Sequence, residues 1–105
     1  MNRKSKNIGR LIRSAINLVD ESAEVILYGS RARGDERVDS DWDVLILTDY
    51  PVDQEVEQNF RNYLYDLELE TGEAFSVFVY SKKNWTTKQR ITPFYQNVIR
   101  EGVSL

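Results

Sequence analysis

Two short apolar runs, at positions 25–28 and 44–47, constrain the fold of this chain more than any other feature. Each is long enough for a β-strand and too short for a typical helix. In a strand, successive side chains project from opposite faces, so the second run would present apolar groups on both of its faces. We therefore expect it to be the central strand of a covered sheet.

Polar groups stand at the ends of these two runs. Gly29-Ser30 follows the first, and Asp41-Trp42-Asp43 opens the second. Asp41 and Asp43 would share one face of the strand, where two carboxylates repel unless a cation lies between them. Hard oxygen ligands favour Mg²⁺ or Mn²⁺. The Gly-Ser turn offers backbone N–H groups and a hydroxyl for a phosphate. This combination indicates nucleotide chemistry.

Composition excludes several other classes of function. The 105 residues suit a single domain, 1–105, and a net charge of −3 argues against a strongly basic nucleic-acid binder. With no Cys and no His, disulfides, zinc sites built on Cys or His, and the usual Ser or Cys triads are excluded. No run approaches the roughly 20 apolar residues of a membrane span, and no secretory signal begins the chain. We expect a cytoplasmic protein without a membrane partner.

Periodicity and end signals predict an α/β (α+β) fold with a small mixed sheet covered by helices. A polar, basic lead occupies 1–6, and a charged loop occupies 35–40. The expected elements are helices at 6–19, 53–71 and 93–101, strands at 24–28, 42–48 and 75–80, and helical turns at 31–34 and 82–85. Their end signals are Asp53, Gly72, Ser81, Thr92-Pro93 and Gly102.

The string GSRARG, then SDWDVLI, resembles a known family. An apolar strand, Gly29-Ser30, ten intervening residues and Asp41-Trp42-Asp43 before a second strand are similar to the motif of the polymerase beta-like nucleotidyltransferase superfamily. The fuller string resembles its smallest branch, the minimal nucleotidyltransferase (MNT) domains. These are often encoded beside helical HEPN proteins as toxin–antitoxin pairs.

The resemblance implies a role for each matched position. Gly29 and Ser30 would bind the nucleotide phosphates, and Asp41 and Asp43 would hold Mg²⁺ (or Mn²⁺). The implied reaction moves a nucleotidyl group, AMP if the donor is ATP, from a nucleoside triphosphate to a hydroxyl acceptor on an unidentified protein or RNA. The small size implies a HEPN-like partner or a second copy of the chain.

Arg31 and Arg33 follow the motif and would help to neutralise a triphosphate. The alternative is that both are solvated arginines in a polar turn. Trp42 and Trp85 are expected to pack in the interior rather than stack on bases. For the motif as a whole, the alternative is that Gly29 only makes a turn and the aspartates are solvated residues at a strand entry.

One position departs from the family pattern. Active members usually carry a third carboxylate on a later strand, and here the matching residue is Ser76. Glu73 would lie on the opposite strand face, and Glu70 on the preceding helix. A neutral serine leaves open a second reading, a catalytically degenerate MNT-type binding module or antitoxin.

These inferences combine into one spatial expectation. Asp41 and Asp43 should be adjacent on one exposed edge of the sheet, with Gly29-Ser30 opposite them. The helices near 6–19, 53–71 and 93–101 should cover the other face.

Overall fold

The computed structural model describes residues 2–35 and 40–105. The elements in chain order are α1 (Arg3–Asn17), β1 (Glu24–Tyr28), α2 (Ser30–Arg33), β2 (Trp42–Thr48), α3 (Gln54–Thr71), β3 (Phe75–Ser81), α4 (Lys82–Thr86), a 3₁₀ turn (Gln89–Ile91), α5 (Pro93–Glu101) and β4 (Val103–Ser104). Most of the predicted loop at 35–40, namely positions 36–39, lies outside the described residues.

The four strands form one mixed sheet in the order β3-β2-β1-β4. β1 and β2 are antiparallel, with Tyr28 opposite Asp43, whereas β2 and β3 are parallel. The predicted mixed sheet with β2 at its centre is therefore confirmed. β4 was not predicted, because two residues after a helix carry too little pattern to identify a strand.

Apolar side chains of β2 enter two separate cores, one on each face of the sheet. On one face, Trp42, Val44 and Ile46 pack against α1 and α3. On the other, Leu45 and Leu47 pack against a smaller cluster. The smaller cluster also contains Tyr28, Trp85, Val98, Phe94 and Tyr95.

The prediction that the helix at 93–101 covers the face opposite the aspartates is wrong. α5 packs on the same face as Asp43, through Phe94 and Val98. The reason is the apolar character of β2 on both faces, since leaving Leu45 and Leu47 in water would forfeit the free energy of burying them. Helices therefore cover both faces of the sheet. The aspartates lie at the start of β2, on the face that α5 covers.

Most of the predicted helix ends are confirmed by their caps. The side chains of Asp53, Ser81 and Thr92 each accept a hydrogen bond from the backbone N–H three residues later. Gly72 ends α3 in the left-handed conformation, with φ of 74°.

The predicted polar lead at 1–6 is wrong. Asn2 accepts a hydrogen bond from the Ser5 N–H at 2.8 Å, so α1 begins at Arg3. Among the described residues, none of the helices has the length and apolar character needed to cross a bilayer.

Candidate active site

Asp43 lies at the end of the sheet where β1 ends and β2 begins. Asp43 is paired with Tyr28, the last residue of β1. The next residue, Gly29, therefore passes directly beside Asp43. Gly29 has φ of 76°, and a Cβ placed there would overlap the Oδ2 atom of Asp43. Only glycine combines this backbone conformation with this close approach. The turn after β1 and the carboxylate of Asp43 thus form one site.

Asp41 and Ser76 complete the acidic side of this site. Ser76 lies beside Asp43 in the parallel register of β2 and β3. Its hydroxyl donates to Asp41 Oδ2 at 3.2 Å. The two carboxylates and the hydroxyl therefore share one face of the sheet, as expected from the alternation along β2.

Asp43 is a half-buried carboxylate with other acidic groups nearby. Burial raises its pKa above the ordinary value, and the charges of Asp41 and Glu101 raise it further, while Arg33 opposes them. The pKa of Tyr28 is also raised, by burial first and then by Asp43 and Tyr80. A bound cation would relieve this excess of negative charge.

The turn after β1 continues into the short helix α2. Gly29 is its N-cap residue, Ser30 is half-buried at its first position, and Gly34 ends it with φ of 83°. Arg33 is exposed and ion-pairs with Asp35 at 3.2 Å and with Glu101 at 3.0 Å. These pairs raise the pKa of the Arg33 guanidinium, Glu101 more than Asp35.

Glu101 is a member of this site that sequence reasoning missed. Its Oε1 accepts a hydrogen bond from the Gly29 N–H at 3.3 Å, and its Oε2 from Arg33 at 3.0 Å. It lies 72 residues after Gly29, in the last turn of α5. No local motif marks it, and only the docking of α5 brings it here.

The acidic side of the site presents the carboxylates of Asp41 and Asp43 as candidate metal ligands. Among residues 2–35 and 40–105, no group of three or more His, Cys, Asp or Glu side chains is arranged to hold a metal ion. The Asp41–Asp43 pair with the Ser76 hydroxyl offers hard oxygen ligands, which fit Mg²⁺ or Mn²⁺ better than softer metals.

Comparison with known proteins identifies the family. The family model described as "Nucleotidyltransferase domain" matches residues 9–99 of this chain. The chain belongs to the nucleotidyltransferase domain family. The predicted resemblance to that superfamily is confirmed, and the matched range includes both aspartates and the Gly-Ser turn.

Three solved structures share the fold of this nucleotidyltransferase domain. A toxin–antitoxin crystallised with AMP-PNP has a TM-score of 0.62 at 18% identity, covering 95% of this chain and 70% of its own. A mutant of the toxin–antitoxin MntA-HpeT with two Asp-to-Glu substitutions has a TM-score of 0.61 at 16% identity. The match covers 99% of this chain and 72% of that chain. A candidate nucleotidyltransferase from Sulfolobus solfataricus has a TM-score of 0.51 at 22% identity, covering 95% and 80%. The search of curated proteins found no match.

Arg31 of the nucleotidyltransferase domain packs on the Trp42 face of the sheet. Its side chain is only 3% exposed, and its guanidinium stacks 4.3 Å above the Trp42 ring and donates to the Ser40 carbonyl at 2.9 Å. The alternative of a solvated arginine is therefore wrong for Arg31. The phosphate role expected for Arg31 stays a prediction, and Arg33 is exposed.

Glu73 lies on the Trp42 face, opposite the two aspartates, as expected from its position before β3. It pairs with Lys4 at 2.9 Å and accepts a hydrogen bond from the Trp42 indole at 3.0 Å. Glu70 is exposed in the last turn of α3, which packs on that same opposite face. Trp42 and Trp85 are both buried, which confirms the prediction that they pack in the interior.

Proposed function

We propose that this domain binds a nucleoside triphosphate, with ATP the expected donor, and transfers its nucleotidyl group to a hydroxyl acceptor with release of pyrophosphate. The observation that carries the proposal is the approach of the Gly29 backbone to Asp43, with Asp41 on the same face. This approach joins a phosphate-binding turn to a carboxylate pair, which are the two parts that phosphoryl-transfer chemistry requires.

Each residue of the site has a proposed task. Asp41 and Asp43 would hold Mg²⁺ or Mn²⁺, whose chemistry is to stabilise the attacking and leaving oxygens. The Gly29 N–H and the Ser30 hydroxyl would orient the phosphates, and Arg33 would balance their charge. Arg31 would support the site indirectly, by holding the Ser40 carbonyl near the start of β2.

The transfer reaction is tested directly in cell extract. ATP labelled in its AMP moiety is added with Mg²⁺, and label on protein and RNA is measured for the wild type and Asp43→Asn. We expect a loss of about a hundredfold or more in the variant, because electrostatic support of the transition state contributes several kcal/mol. Asp66→Asn, on the exposed surface of α3, is the matched control. Equal labelling by the wild type and Asp43→Asn would exclude the mechanism.

A second candidate function is a non-catalytic MNT-type module that pairs with a HEPN-like helical protein, or with a second copy, as an antitoxin. The observation that favours it is Ser76, a neutral residue beside Asp41 and Asp43 where active relatives are expected to carry a carboxylate. Two solved structures of the same fold belong to toxin–antitoxin systems. Two carboxylates alone leave much of an octahedral shell to water.

Calorimetry with Mg²⁺ and a non-hydrolysable ATP analogue separates the two candidates. A dissociation constant below about 10 μM, which corresponds to about 7 kcal/mol, favours a working nucleotide site. Ser76→Asp should tighten metal binding, because it adds a charged ligand beside Asp41 and Asp43. Ser14→Asp, at an exposed position of α1, should leave metal binding unchanged. Unchanged metal affinity in a folded Ser76→Asp protein would contradict the assignment of Ser76 to the third position.

A further inference from the structure

Glu101 is held beside the candidate phosphate site by the way α5 ends. The following residue, Gly102, packs so closely that a Cβ would lie 2.5 Å from the Val98 carbonyl oxygen and 2.7 Å from Ile26 Cγ2. The chain then pairs with β1 as β4, with Val103 opposite Leu27. The strand pairing and the close approach together fix the last turn of α5 against the end of β1.

The carboxylate of Glu101 contacts two groups that the proposed function assigns to phosphate. It accepts from the Gly29 N–H at 3.3 Å and from the Arg33 guanidinium at 3.0 Å. Its side chain is 16% exposed, so it lies against the protein rather than extending into water. The other ion pair of Arg33, with Asp35, is largely exposed and correspondingly weak.

A carboxylate and a phosphate compete for the Gly29 N–H, which offers a single hydrogen, and for the charge of Arg33. Both are anions that accept through oxygen, and like charges at such short range repel strongly where water is partly excluded. A triphosphate that accepts a hydrogen bond from the Gly29 N–H must therefore displace Glu101 from it.

We propose that Glu101 is an internal anion that occupies the phosphate-binding turn and is displaced when a nucleotide binds, so that it lowers the affinity of the site for polyphosphate. The inference rests on the proposed function for the identity of the phosphate-binding groups. It assigns Glu101 a competitive role rather than the role of a third metal ligand.

The test uses inorganic tripolyphosphate without divalent metal, so that neither the base nor the metal contributes to binding. Glu101→Gln keeps an amide oxygen for the Gly29 N–H but removes the charge. We expect tripolyphosphate to bind about threefold to tenfold more tightly to this variant than to the wild type, as judged by the Gly29 amide signal in an ¹⁵N NMR titration. Glu55→Gln, exposed in the first turn of α3 at the far end of β2, makes the same charge change and should match the wild type.

Two further measurements test whether displacement of Glu101 causes the tighter binding of tripolyphosphate. Adding Arg33→Gln to Glu101→Gln should abolish the gain, because Arg33 is the cation released to the phosphate. In the wild type, the side-chain carboxyl carbon signal of Glu101 should move in step with the Gly29 amide during the titration, which tests the displacement without any substitution. An immobile Glu101 signal, or equal or weaker binding by folded Glu101→Gln, would overturn the proposal.

The labelling assay keeps the two proposals separate. Tighter tripolyphosphate binding by Glu101→Gln in a protein that transfers no label would support the internal anion and reject catalysis. Label transfer that depends on Asp43, with no gain from Glu101→Gln, would support catalysis and reject the internal anion.

Discussion

Trp42 and Asp43 are neighbours in the chain, yet their side chains face opposite sides of the sheet and collect different partners. Trp42 stacks against Arg31 and donates a hydrogen bond to Glu73, and Arg31 and Glu73 form an ion pair with each other. Asp43 lies beside Asp41 and draws far less compensating charge. At the start of β2, charged groups on the Trp42 face are thus paired, whereas the carboxylates on the Asp43 face are less compensated.

The cluster around Trp42 predicts a pH-dependent contribution to stability. The hydrogen bonds from Lys4 and then from Trp42 hold the pKa of Glu73 below its ordinary value. Because the folded protein binds this proton less readily than the unfolded chain, the contribution is present above about pH 4.3 and is lost as pH falls through the lower folded pKa. We expect Glu73→Gln to cost about 0.5–1 kcal/mol at pH 7, since Lys4 is half exposed.

Urea unfolding at pH 7 and pH 3 measures this effect. The difference between the wild type and Glu73→Gln should be smaller at pH 3 than at pH 7, because Glu73 binds a proton as the pH falls. A difference that stays constant between the two pH values would contradict the role assigned to the Glu73 charge.

Among the elements, α5 brings Glu101 to the site from the far end of the chain. Gly102 does not need a left-handed conformation, since its φ is −68°. It is required because Ile26 and the Val98 carbonyl leave no room for a side chain. The two-residue strand β4 then keeps α5 beside β1. This short segment therefore determines where Glu101 lies.

Gly102→Ala is predicted to destabilise the protein by about 1–3 kcal/mol, because the added methyl group must displace backbone and Ile26. Gly72→Ala is the matched control, since it also changes a glycine at a helix end. Gly72 has φ of 74° and open space around it, so its substitution should cost about 1 kcal/mol through backbone strain alone.

Amide NMR distinguishes the two glycine variants. Gly102→Ala should shift the signals of Gly29 and Arg33, because it moves Glu101, and Gly72→Ala should leave them in place. Unshifted Gly29 and Arg33 signals in Gly102→Ala would show that α5 does not position the site.

At the scale of the whole molecule, two cores share one central strand. Trp42 belongs to the core under α1 and α3, and Trp85 to the core under α5. Because β2 contributes buried side chains to both, neither core can lose its packing without exposing the other side of the same strand. We expect the domain to unfold as one cooperative unit.

The two tryptophans make this cooperativity measurable, since the chain contains no others. Trp85→Phe leaves only Trp42 as a fluorescent reporter, and Trp42→Phe leaves only Trp85. In each variant, the urea midpoint from fluorescence should coincide with the midpoint from far-ultraviolet circular dichroism. Separate midpoints in either variant would indicate that the two faces unfold independently.

The sequence by itself determined most of the local elements and the composition of the acidic site. The bounds of β1 and β2, the caps at Asp53, Ser81 and Thr92, and the shared face of Asp41, Asp43 and Ser76 follow from signals a few residues apart. Alternation along a strand and hydrogen bonding at a helix end depend on neighbouring residues, so they can be predicted without the fold.

Only the tertiary structure decided the placement of α5 on the Asp43 face, the pairing of β4 with β1, the burial of Arg31 against Trp42, and the arrival of Glu101 at Gly29. Each of these depends on which surfaces dock, and the contact between Glu101 and Gly29 spans 72 residues of chain. An amphipathic helix such as α5 can cover either face of a strand that is apolar on both. The choice depends on the shape and burial of the assembled layers, which no local pattern encodes.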